Sequence, residues 1–364
     1  MRFPTVLAAA FAIVFVTGCS TSTPHQSLNA ALDKTFRAQG YDYTSSTRIT
    51  KLSVSHDQSD ETDKTAAYVD KGLSILRSIS LQARGSVDMQ RARSEALYDL
   101  RYAQNNVEIS LRVPLMADYE KRVLYIGNSF LNTLFPMRPD DEKKLIRFDL
   151  NDTLMQNFFP EDAFNATAFR SMNRALKEGT LKGFGEMNGS LAYYDTASGN
   201  IRVRLDHNES VGWFLRFSDA AITRLFQDGV LTKEEYGAYM ILSDQKRIAA
   251  VLDRFVLATD FDIALDRSGR VSNVTVRLDL SDAEGSFSAG IENTTSFEHY
   301  DDPRFTLDPE KTGTVHFHDV VKNWEMLMDP VNTLDKILPQ PADVNDALGE
   351  LPSSLAGRAP LSSL

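Results

Sequence analysis

The chain has 364 residues, 42% hydrophobic, 24% charged and 10% aromatic, with a formal net charge of −11 and one cysteine. This is a globular composition with material for a real core, enough for one large domain or two ordinary ones. An acidic chain is a poor match for a phosphate backbone, so no nucleic-acid partner is expected, and a single thiol forms neither an intramolecular disulfide nor a cysteine-based zinc site.

The first element is a positive start, Met1-Arg2, followed by an unbroken apolar run from Val6 to Val16. The run falls short of the roughly 20 residues a spanning helix needs but has the length of a signal-peptide core. Residues 1–18 are therefore expected to be removed rather than folded. Val16-Thr17-Gly18-Cys19 closes the segment, with small residues just before the cysteine. These four residues resemble the bacterial lipobox. The resemblance implies cleavage before Cys19, a diacylated Cys19 thiol and often an acylated new N-terminus. Two or three acyl chains, at about 0.8 kcal/mol per buried methylene, suffice for stable anchoring. In enteric-type bacteria Ser20 beside the lipid-bearing cysteine implies sorting to the outer membrane. The expected localisation is thus a cell-envelope lipoprotein facing the periplasm, and the membrane is its first expected partner. Removing residues 1–18, which hold Arg2 and no acid, leaves 346 residues with a charge of −12.

Residues 19–25, rich in Ser and Thr, read as a lipidated tether. Leu28, Ala31, Leu32 and Phe36 have helical spacing, and β-branched residues over 47–55 suggest a strand. After the polar segment 56–63, Ala67, Leu73 and Leu76 suggest a second helix. Between 78 and 150 the period becomes two: Tyr98, Leu100 and Tyr102 alternate with Asp99 and Arg101, and Val107 to Leu115 alternate likewise across an Asn105-Asn106 turn. Further strands are expected at 123–126 and 145–150. A helix over 162–178, with Phe164, Ala168, Met172, Ala175 and Leu176 on one side, is expected to stop at Gly179. Strands over 190–194 and 201–205 flank a Ser198-Gly199-Asn200 turn. Ser218 is read as the cap of a helix ending at Gly229, and Thr232 with Glu235 as a capping box for a helix running toward Val256. Strands at 257–265, 271–280 and 286–297 complete the pattern.

The resulting body, 26–327, admits two sub-units, about 26–155 and 156–327, and is followed by a Pro-rich, weakly ordered tail over 328–364. Alternation with a polar second face marks antiparallel pairing. The expected fold class is α+β, with curved antiparallel sheet, in one piece or two, and helices on one face, an arrangement that admits a half-barrel.

Catalytic signatures are weak. Ser243 and Lys246 have nucleophile-and-base spacing, and Lys311-Thr312-Gly313 matches a third motif of penicillin-recognising enzymes, but the Ser-x-Asn element is missing and the separation is too short for that fold. His316 and His318 stand two apart on an expected strand, where both imidazoles would share a face, yet no third metal ligand is close in sequence. Asp260 and Asp262 read as the wet side of a strand, and with Asp266 they do not make a calcium loop. No phosphate loop or nucleophile elbow occurs. The expectation is a protein without enzymatic activity and without a cofactor.

The aromatic inventory points elsewhere. Phe130 with Leu134 and Phe135, and Trp213 with Phe214, are candidate linings of an apolar cavity. Long antiparallel strands, helices to plug one sheet face and an acylated N-terminus together are similar in architecture to the lipoprotein-carrier proteins of bacterial envelopes, the Lol carrier and receptor. That resemblance implies a membrane-anchored lipoprotein that binds or carries a lipid or another hydrophobic ligand. The alternative is a non-catalytic scaffold lipoprotein with an envelope protein partner.

Overall fold

The structure, a computed structural model, describes residues 22–55, 71–104, 106–128, 144–156, 164–242 and 254–321. Cys19, Phe130, Leu134, Phe135, the Ser243 and Lys246 pair and the tail over 328–364 lie outside the described residues.

The first helix, α1 (Pro24–Phe36), begins inside the expected tether. Thr23 is its N-cap, Gln26 completes a capping box and Pro24 occupies the first turn, where its missing N–H costs nothing. Only residues 20–22 therefore separate Cys19 from the cap. Then come β1 (Gly40–Val54), a helical stretch over 71–77, β2 (Ile79–Asp88), β3 (Arg93–Gln104), β4 (Val107–Asp118), β5 (Val123–Gly127) and β6 (Leu145–Asp149). Asn106, with φ 63°, turns β3 into β4 where Gln104 pairs with Val107.

α2 (Ala166–Gly185) runs through Gly179 instead of stopping there. A Cβ at Gly179 would sit 2.8 Å from the Phe217 carbonyl oxygen, and one at Gly183 would sit 2.8 Å from Trp213 Nε1. These glycines let a second helix approach, and the chain continues because the next turns are packed. The buried stripe of α2 is Ser171, Ala175, Gly179 and Gly183, four residues apart; Met172 and Leu176, expected on the apolar side, are exposed.

After β7 (Ala192–Tyr194) and β8 (Ile201–Leu205) comes α3 (His207–Gln227), capped by Asp206 with Glu209 closing the box. Ser218 is thus mid-helix, not a cap. Gly229, at φ 74°, follows the C-cap Asp228. α4 (Lys233–Leu242) carries the expected Thr232–Glu235 box, and Val256 belongs not to it but to β9 (Phe255–Leu265). β10 (Val271–Asp282), β11 (Phe287–Glu298) and β12 (Thr314–His316) complete the fold.

The protein is α+β, and among the described residues twelve strands form a single open sheet of order β12-β6-β5-β4-β3-β2-β1-β11-β10-β9-β8-β7. Every pairing is antiparallel except β12 with β6. β1 joins the first and second sections, pairing with β2 on one side and with β11 on the other from Asp42 to Val54.

Register sorts the two faces. One row of aligned residues crosses eight strands as Val203, Phe261, Val276, Asn293, Thr47, Leu81, Leu100 and Leu111. The row beside it, on the opposite face, reads Arg204, Asp260, Arg277, Glu292, Arg48, Ser80, Arg101 and Ser110. Five neighbouring side chains there alternate in sign, with Glu292 held by Arg48 at 2.6 Å and Arg277 at 2.7 Å. Period-two alternation thus gives one sheet an apolar face and a charged one.

α1, α2 and α3 pack on the apolar face over β7–β10, where Leu28, Leu32, Phe184, Ile201, Val203 and Ile263 form the main core. On the charged face, the segment after β11 lies against β3–β6. Backbone N–H groups of Thr306 and Leu307 donate to the buried Glu95 carboxylate at 2.9 and 2.8 Å, while Phe305 and Leu307 pack on Met116, Tyr125 and Leu145.

Candidate functional site

The feature that α1 and α2 create over the sheet is a cavity of about 760 Å³, within the usual range of about 300–1,000 Å³ for small-molecule sites. Its floor is the apolar sheet face, with Phe261 and Ile263 of β9, Val274 of β10 and Phe297 of β11. Leu32 and Phe36 of α1, Phe184 of α2 and Trp213 of α3 form the wall. Phe184, Trp213 and Phe261 make a three-ring cluster with centroids 5.0–5.4 Å apart, which ties both helices to β9. Leu176 lines the cavity and is 42% exposed, so the site opens along α2.

The local sequence explains why α2 both packs and lines. Its small residues at four-residue spacing face α3, while Arg170, Arg174, Lys177, Thr180 and Phe184 run down the cavity side. Lys177 meets Asp33 at 3.2 Å, and Arg174 meets Asp228 at 3.2 Å. Arg170 donates to the carbonyls of Met89 and Gln90 and pairs with Glu120 at 2.8 Å. Burial pushes the Asp33 carboxyl up, but Lys177 and Arg37 outweigh it and hold the group below its ordinary value. Asp228 follows the same pattern, with burial outweighed by Ser171, Arg174 and Arg224. At the β1 side, burial raises the phenol of Tyr41, which also lines the cavity, and pushes Tyr43 up to about 12.

Of the expected lining residues, Trp213 lines the cavity, whereas Phe214 does not and is 55% exposed. Adjacent positions on a helix point about 100° apart, so the pair cannot share one wall. The two histidines part as well. His316 ends β12 and residues 317–321 are helical, so the common strand face expected for His316 and His318 does not form, and both side chains are exposed. No group of three or more side chains suited to a metal occurs among the described residues. Asp260 and Asp262 lie on the charged face as expected, at 3.5 Å from Arg204 and 3.0 Å from Arg202. Sequence reading missed the cationic line of α2, although Arg170, Arg174 and Lys177 have the i, i+4, i+7 spacing of one helix face.

No helix among the described residues is long and apolar enough to cross a membrane. No protein-family model matches the chain, and no curated protein is significantly similar to it.

Proposed function

We propose that this chain is a membrane-anchored envelope lipoprotein, attached through acyl groups on Cys19, that binds or carries a lipid or another hydrophobic ligand. The observation that carries the reading is the cavity of about 760 Å³ between α1–α3 and the apolar sheet face. A site of this size with an aromatic and aliphatic floor rewards an acyl chain by about 0.8 kcal/mol per methylene removed from water. Ten buried methylenes thus offset a large part of the cost of association. The irregularities in register at Ile49/Lys51 of β1 and Val271/Asn273 of β10 support a sheet that curves around the ligand as a half-barrel, because bulges sharpen twist.

In this reading the anchor implied by the lipobox resemblance is separated from the cap of α1 by three residues. Cavity residues Leu32, Thr35 and Phe36 lie toward the far end of that helix. At a rise of 1.5 Å per residue, Phe36 sits about 18 Å from Pro24, so the site stands off the bilayer.

Two measurements test the proposal. Cys19→Ala protein, purified in soluble form and examined by native mass spectrometry with solvent extraction, is expected to carry an apolar molecule; a clean apo protein that takes up no lipid overturns the ligand reading. The same substitution is expected to abolish labelled palmitate incorporation and release the chain from membranes, and retained label overturns the anchor. A scaffold lipoprotein is the second reading, favoured by Leu100, Ile109 and Ile291, which stand exposed on the apolar face away from the cavity. A stoichiometric protein partner without bound lipid is its expected signature.

A further inference from the structure

We infer that the ligand of this cavity is an amphiphile with an anionic head, a carboxylate or a phosphate, seated against Arg174 and Lys177 of α2 with its hydrocarbon chain along the sheet floor. The inference rests on the hydrophobic-ligand reading above and adds the chemistry of the head.

Among the described residues, the cavity's charged lining residues are Arg170, Arg174 and Lys177, and no carboxylate lines it. In a chain of net charge −11 a mouth of one positive sign runs against the overall balance. The three cations are not equivalent. Arg170 is engaged through Nε and Nη2 with the carbonyls of Met89 and Gln90 and with Glu120, ties that fix α2 to the β2–β3 and β4–β5 turns. Among the described residues Arg174 meets partners through Nη2, hydrogen-bonding Ser171 and pairing with Asp228, which leaves Nε and Nη1 to donate. Lys177 meets one oxygen of Asp33 with an ammonium that carries three hydrogens.

The carboxylates beside them have second cations as well. Asp33 also meets Arg37 at 2.5 Å, and Asp228 also meets Arg224 at 3.2 Å. Asp33 is shared between Arg37 and Lys177, which leaves one positive charge in excess there, whereas Arg174 and Arg224 are balanced by Asp228 and Glu178. A hydrocarbon laid over them with no counter-charge would strip water from two cations for nothing. A cationic head would be repelled. A carboxylate or phosphate accepts from the guanidinium fork and the ammonium together, while its chain reaches Phe261, Ile263 and Val274.

The test uses the full Cys19→Ala chain and four ligands of equal chain length: a fatty acid, a monoacyl phosphate, the alcohol and the amine. Titration calorimetry below their micelle concentrations is expected to show the acid or the phosphate binding about tenfold or more tighter than the alcohol, the range for hydrogen bonds to charged groups. The stronger of these two anions identifies the head. In Arg174→Gln/Lys177→Gln the preference for the acid or the phosphate over the alcohol is expected to fall below about twofold, while Arg174→Lys, which keeps the charge, retains a preference. Arg37 stays on Asp33 and Arg224 on Asp228 Oδ1 in the double variant, and Arg174→Lys, which keeps a cation beside Asp228 Oδ2, carries the test if the double variant does not fold. Equal binding of acid and alcohol by the unsubstituted site, or tighter binding of the amine, overturns the inference and leaves the hydrophobic site standing. Failure of all four ligands to bind overturns the hydrophobic-ligand reading itself.

Discussion

Val203 and Phe261 belong to the same cross-sheet row as Leu81 and Leu100, yet they end in different environments. Val203 and Phe261 are 0% and 7% exposed beneath α1–α3, whereas Leu100 is 39% exposed and Ile109, two residues before Leu111 on β4, is 59% exposed. Both stretches show the same alternation, and both put their apolar residues on the same face. Alternation thus sorts faces but does not make a core; the helices decide which part of the apolar face leaves water. The cavity sits on the helix-covered part, where α2 carries cations on one side and small residues on the other.

The largest expected contrast lies across this divide. Ile263→Ala, in the covered part, is expected to cost about 2–5 kcal/mol, the range for truncating a fully buried aliphatic side chain. Ile109→Ala is expected to stay within about 0.5 kcal/mol, as for exposed positions. Urea midpoints of the two variants check this, and equal shifts would show that the exposed end is as packed as the covered one.

A finer test concerns how the cover is held. Gly179→Ala adds a Cβ that meets the Phe217 carbonyl oxygen at 2.8 Å, a backbone atom that cannot swing away. Overpacking of this kind is expected to cost about 1–3 kcal/mol. At Gly237 in α4 a Cβ meets nothing within 4 Å, so Gly237→Ala is expected to gain about 0.5–1 kcal/mol from helix propensity alone. Thermal midpoints moving in opposite directions would confirm that Gly179 serves the α2–α3 approach; a gain at both would show slack between these helices.

The same contrast explains what was legible in the sequence. Strands were readable because period two is a local signal, as in Tyr98 to Tyr102 and Leu257 to Leu265, and the Asn106 turn was readable because few residues tolerate positive φ. Helix limits were less so. Gly179 looks like a stop until Phe217 is seen to need the space, and Ser218 looks like a cap although the box is formed by Asp206, twelve residues earlier, with Glu209. The cavity was least legible, since it joins residues from α1, α2, α3 and four strands that are remote in sequence. Trp213 drew notice as an aromatic, but Arg174 and Lys177 look like ordinary surface charge until the sheet is placed beside them.

Where the apolar face is exposed, the charged face takes a larger share in holding β3 to β4. Asp99 lies there, receiving Arg101 Nη2 at 3.0 Å, Arg112 Nε at 3.3 Å and Ser110 Oγ at 2.9 Å. Hydrogen bonds from Arg101 lead the effects that hold its carboxyl well below the ordinary value of 3.8, against a smaller upward push from burial. A carboxyl depressed in the folded state binds its proton more readily when unfolded. Its contribution is therefore complete above the unfolded value and is lost as the pH falls through that value toward the folded one. Asp99→Asn removes the titration, so the gap between the urea midpoints of the two proteins is expected to be constant from pH 7 to pH 5 and to close progressively below about pH 4. Salt is expected to narrow the gap as well, because the arginines are open to solvent and surface pairs are screened. A gap that stays the same at pH 3 would mean that the Asp99 carboxylate gains nothing from its arginines, and that packing alone joins β3 to β4.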